Sequence, residues 1–126
     1  MRLIAILYYL IPLLLIQTVT AGQTISNADT VSASTAGEKL WNQEFTHSEK
    51  PRSCAACHGE NPGLEGKHVR TGKRIKPMAP SITPGRLTDV KKVEKWFKRN
   101  CKWTLGRECT PEEKRHFIAY VENWKE

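Results

Sequence analysis

Five consecutive residues, Cys54-Ala55-Ala56-Cys57-His58, carry the most specific chemistry in the chain. Two thiols three positions apart stand about one helical turn apart, so each can add across one vinyl group of a single haem. The histidine that follows places an imidazole beneath the same ring, where its nitrogen can ligate iron as the proximal ligand. Two other chemistries use paired cysteines. A thioredoxin-like dithiol wants a βαβ context, and half a zinc site wants a second ligand pair at metal-like spacing; the sequence offers neither. The motif therefore predicts one covalently attached haem c, with Cys54 and Cys57 as thioether donors and His58 on the iron.

The segments around the motif must supply a compartment, a core and a second face for that haem. Residues Leu3 to Ile16 form an apolar run behind Arg2, and Val19-Thr20-Ala21 offers small residues suited to cleavage before Gly22. Residues 1–21 read as a secretory signal peptide, with a retained membrane anchor as the alternative, which places the mature protein in the periplasm. About 105 residues remain, enough for one domain and no second. Few Phe, Ile and Leu residues follow the signal, so the haem itself has to fill much of the interior. Export also implies an oxidising compartment, which suits both haem attachment and disulfides. Of four cysteines, two go to haem. Cys101 and Cys109, on either side of a loop containing Gly106, remain as a disulfide or as two free thiols, and the first is expected.

Residues 22–34 are rich in Ser, Thr and Ala without an apolar period and read as a flexible lead-in, so the domain is expected over 35–126. Thr35-Ala-Gly-Glu38 matches a capping box, which predicts a helix over 35–46 with Gly37, Leu40, Trp41 and Phe45 on its apolar face. Thr88 reads as the N-cap of a second helix ending near Asn100, with Val90, Val93, Trp96 and Phe97 on one face. Thr110-Pro111-Glu112-Glu113 opens a third helix over 111–124, whose Phe117, Tyr120, Val121 and Trp124 should cross the first helix at Gly37 and Trp41. The expected fold is all-α, three main helices and long loops around one haem.

Gly59, Pro62, Gly63, Gly66 and Gly72 exclude a long helix after the motif, and the Pro-bordered stretch Lys76 to Gly85 continues the loop. Met78 lies there, either as haem packing or as a second axial ligand, since a thioether in such a loop raises the potential. His47, His68 and His116 read as surface or hydrogen-bonded residues, with bis-histidine ligation a third choice. On the second helix Asn100 falls inside the apolar arc, where it is either a C-cap or an inward-facing polar group.

Several stretches together resemble class I c-type cytochromes, and more narrowly the SHP-type, asparagine-ligated, high-spin cytochromes. They are Ser53-Cys-Ala-Ala-Cys-His-Gly59, Pro77-Met-Ala-Pro-Ser81, Arg86-Leu-Thr-Asp89, and Val93 through Cys101 to Gly106-Arg-Glu-Cys-Thr-Pro111. The resemblance implies the class I fold, a Cys101–Cys109 disulfide, and a haem that binds diatomic gases when reduced. It also implies Asn100 as the distal ligand of oxidised iron; Trp96, Phe97 and Met78 are expected to pack on the haem, and Met78, which that ligation scheme does not need, stays the alternative ligand. A hard amide oxygen suits ferric better than ferrous iron, so Asn100 is expected to act as a redox-controlled gate.

The function expected is an exported monohaem cytochrome that transfers electrons and binds O2, NO or CO at reduced iron. The alternatives are a His/Met-ligated electron carrier using Met78 and a haem enzyme acting on nitric oxide or peroxide. No acid–base pair, nucleophilic triad or phosphate-cradling glycine motif supports the enzyme reading. The net charge of +7 invites partners of opposite sign. An acidic redox protein, such as another cytochrome, could be steered to the Lys91/Lys95/Lys98 stripe, and nucleic acid is not expected of an exported haem protein. The chain is expected to be a monomer.

Overall fold

The computed structural model describes residues 26–125; the expected signal peptide and the first residues of the lead-in lie outside them. The described chain is helical, with α1 (Asn27–Asn42), α2 (Ala55–His58), α3 (Val90–Thr104) and α4 (Pro111–Glu122), plus one antiparallel hairpin of β1 (Gly66–Lys67) and β2 (Arg74–Ile75). Among the described residues no helix is long and apolar enough to cross a membrane.

The first helix begins eight residues before the expected start at Thr35. Ser26 caps it: its hydroxyl accepts from Asp29 N while the Asp29 carboxylate accepts from Ser26 N, so a capping box closes one segment earlier. Residues 27–34 are therefore helix rather than flexible lead-in. Thr35 instead sits mid-helix, donating its hydroxyl to the Val31 carbonyl at 3.1 Å. The early turns matter for packing because Ala33, Gly37 and Trp41, four residues apart, form the buried stripe of α1.

That stripe receives α4, as the sequence predicts. A methyl group on Gly37 would lie 2.0 Å from the His116 carbonyl oxygen and 2.7 Å from Tyr120 Cβ, so only glycine permits this backbone approach. Beside it, the Trp41 and Tyr120 rings meet edge-on at 5.8 Å. Thr110 and Glu113 close a second capping box and Pro111 takes the first turn, as expected. The helix ends at Glu122 rather than 124, and Trp124 turns back so that its ring lies against Gly63.

The third helix is shifted at both ends. Asp89, not Thr88, is the N-cap, accepting from Lys92 N at 3.0 Å, whereas Thr88 donates its hydroxyl to the Gly85 carbonyl. No glycine or proline interrupts Cys101 to Leu105, so α3 runs on to Thr104 and breaks only before Gly106, where φ is +76°. Cys101 and Cys109 are disulfide-bonded with Cα atoms 5.5 Å apart, closing the turn between α3 and α4. The core gathers Trp41, Cys101, Leu105, Cys109, Phe117, Tyr120 and Val121, with Phe45, Cys54, Met78, Leu87 and Phe97 packed on it.

Candidate haem site

The Cys54–His58 motif folds as a single helical turn, with His58 N donating to the Cys54 carbonyl at 3.1 Å and the Ser53 hydroxyl accepting from Ala56 N. Both thiols are free, Cys57 buried and Cys54 half-buried. Burial, reinforced by the neighbouring Cys57, pushes the Cys54 thiol up to about 12. A reactive dithiol needs a thiolate, so the raised Cys54 thiol opposes redox exchange while leaving two free sulfurs on a turn that suits an apolar prosthetic group.

Three elements fix the turn. From α1, Trp41 donates its indole N–H to the Gly59 carbonyl at 2.7 Å and lays its ring 5.3 Å from the His58 imidazole. From α4, Tyr120 donates its hydroxyl to the Glu60 carbonyl at 2.9 Å. From β1, Gly66 presses so close that a Cβ would lie 2.2 Å from the Cys57 carbonyl oxygen. Burial, with smaller contributions from the charges of Arg86 and His68, pushes His58 down to about 4. The imidazole is therefore neutral at physiological pH, the form that ligates metal. His58 Nδ1 is buried without a hydrogen-bond partner among the described residues, so no protein group competes for the ring. Two free thiols and a neutral imidazole on one turn fit covalent haem and do not fit a hard cation.

The opposite side is less enclosed. Asn100 lies inside α3, four residues before its end, so it is not a C-cap. Nor is it buried: the expected inward amide is exposed, and the polar residue that α3 does bury is Thr104. The helical step explains the difference. The buried arc follows Phe97, Cys101 and Thr104, and Asn100 flanks it beside Trp96. Trp96 leaves 47% of its surface exposed and Val90 72%, whereas Phe97 is half-buried with its ring 6.2 Å from Phe117. This apolar strip suits contact with a flat hydrophobic ring.

Met78 is half-buried against the core. Its loop is held by the buried Pro62, whose carbonyl accepts from both Met78 N and Ala79 N, and by Arg86, which donates to the Lys76 and Pro77 carbonyls. Arg52 ties the segment before the motif to the end of α3, donating to the Trp103 carbonyl at 2.7 Å with its guanidinium 4.4 Å from the Trp103 ring centre. The other histidines have different partners. His47 packs on Gly106, His68 Nδ1 accepts from the backbone of Arg70 and Thr71, and His116 lies 3.8 Å from the Glu112 carboxylate.

Residues 27–121 match the family described as a domain of unknown function, DUF1924. Cytochrome c'' of Methylophilus methylotrophus is 46% identical over 88 residues, covering 69% of this chain and 61% of that protein. The cytochrome c-type protein SHP of Cereibacter sphaeroides is 51% identical over 69 residues, covering 55% and 53% respectively. The alignments thus span between half and two thirds of these curated relatives. The crystal structure of oxidised cytochrome c'' superposes with a TM-score of 0.69 at 40% identity over 74% of this chain and 76% of that one. The structure of oxidised SHP, titled an oxygen-binding cytochrome c, gives 0.66 at 37% identity over 79% and 97%.

Proposed function

This chain belongs to the DUF1924 family and is an all-α c-type cytochrome with covalently bound haem c, related to cytochrome c'' and SHP; from that premise we propose that it is an exported electron carrier that also binds diatomic gases. The observation carrying the proposal is the neutral, clamped His58 on one turn with two free thiols, Cys54 and Cys57.

Cys54 and Cys57 would hold the haem through two thioether bonds, and His58 would hold its iron. Trp41 and Tyr120 hold the backbone after the motif, so His58 keeps one orientation in both oxidation states. Trp96, Phe97 and Met78 exclude water from the ring's apolar surface. The bound haem supplies a one-electron couple and an iron centre open to O2, NO or CO. Asn100 would offer its side-chain oxygen to ferric iron in preference to ferrous iron, because a neutral amide oxygen is a hard, weak donor. The Lys91/Lys95/Lys98 stripe adds to the long-range attraction for an acidic redox protein without seating it, and the protein works in the periplasm as a monomer.

Met78 carries the second reading, as distal ligand of a simple His/Met electron carrier, because it already points into the core cluster from a loop braced by Pro62. A pyridine haemochrome spectrum of the exported protein tests the shared premise. The c-type spectrum is expected from the native chain and its absence from C54A/C57A; a native product without bound haem would overturn the proposal.

A further inference from the structure

We infer that the β1–β2 hairpin and its flanks are a docking surface for an acidic redox protein, separate from the α3 stripe and closer to the haem-attachment turn. The inference rests on the electron-carrier reading above. Residues 65–76 carry Lys67, Arg70, Lys73, Arg74 and Lys76 against one carboxylate, Glu65. All five cations are exposed. Glu65 pairs with Arg74, and the other four cations have no ion-pair partner among the described residues.

Position distinguishes this patch from α3. Through Gly66, strand β1 lies directly on the backbone of Cys57 and His58, with no side chain between them. A partner seated on the hairpin is therefore one strand away from the attachment turn. On α3, Lys91, Lys95 and Lys98 fall on the side away from Phe97, Cys101 and Thr104, so a partner there stands off by the width of a helix, about 10 Å. Electron transfer favours the shorter separation. The patch chemistry also indicates the occupant. The cations line both arms of a two-stranded hairpin whose exposed apolar residues are two separated ones, Val69 at its tip and Leu64 at its base. Insertion into a lipid surface needs an extended apolar face, whereas clustered carboxylates on a protein need only the charge.

Calorimetric titration of the haem-loaded full chain with flavodoxin, used as an acidic one-electron probe, tests this at two ionic strengths. At about 0.01 M charges act over about 30 Å, and at about 1 M over about 3 Å. K67E/R70E/K73E is expected to weaken binding by at least about tenfold at low salt, with the difference gone at high salt. K91E/K95E/K98E makes the same change in net charge and is expected to weaken it less than about threefold. Both variants should keep native far-UV dichroism and the c-type haem spectrum. Equal loss in the two variants would reduce the effect to net charge and overturn the inference. So would a larger loss in the α3 variant, absence of salt-dependent flavodoxin binding by the native chain, or a hairpin variant that loses only its affinity for phosphatidylserine vesicles. A chain without bound haem fails the electron-carrier reading by its spectrum, whatever the titration gives.

Discussion

On the α2 side, Trp41, Tyr120 and Gly66 reach the attachment turn from three elements and fix the backbone on both sides of His58. On the α3 side, Asn100 is exposed, its amide makes no hydrogen bond among the described residues, and its neighbour Trp96 is half exposed. What restrains Asn100 is the backbone next to it, where Cys101 is buried and disulfide-bonded. The first arrangement suits permanent attachment, because the fold over-determines the side chain proposed to stay on the iron. The second suits a ligand that comes and goes. Holding the helix while leaving the amide free to rotate lets a side chain change partners without a change in the fold.

The two sides can be disturbed separately. The largest effect should come from G37V, because the added side chain meets the α4 backbone rather than a movable group. We expect a loss of about 3 kcal/mol or more, read by thermal denaturation, and a weakened attachment turn, since Trp41 and Tyr120 sit on the two separated helices. Removing the disulfide as C101A/C109A should cost about 2–3 kcal/mol by the loop-entropy relation. It should broaden the distal-ligand signals while the thioether-linked haem remains, and loss of haem attachment instead would contradict the separation of the two sides. W41F removes the donor to Gly59 and should cost about 1–2 kcal/mol. Its particular mark is a shifted reduction potential with unchanged ferric distal ligation.

The smallest effect belongs to E113Q, remote from both faces. Arg107 and the α4 cap hold the Glu113 carboxyl down to about 2. Its contribution is present above the ordinary carboxylate value, near 4.5, and is lost as pH falls through about 2. For a solvent-screened pair this is below about 1 kcal/mol. Urea titrations of native and E113Q protein should differ slightly at pH 6 and converge at the acid end. A difference that persists there would assign the effect to something other than ionisation.

The attachment side was the more legible in sequence because short spacings encode it. Cys54, Cys57 and His58 declare their geometry within one turn, and Gly37 with Trp41 marks the α4 crossing through helical periodicity. The Trp41–Gly59 and Tyr120–Glu60 bonds were not legible, since they join residues 18 and 60 positions apart and depend on where the loop runs. The start of α1 escaped because Ala33 packs by being small, which leaves no apolar period to read. The place of Asn100 on α3 is legible only in part for a related reason. Periodicity finds the arc of α3, but which edge of that arc meets the core is decided by Cys101 and its bond to Cys109. Thr104 lay beyond the expected end of the helix, and it is the polar residue that the core encloses.

The contrast between a fixed and a releasable ligand is tested most directly by the ferric absorption and paramagnetic NMR spectra of N100A and M78L, each as the exported haem-loaded chain. We predict that N100A alters the oxidised spectrum and leaves the reduced one close to native, whereas M78L leaves both ligation patterns intact. An oxidised spectrum untouched by N100A but converted to high-spin by M78L would contradict the account.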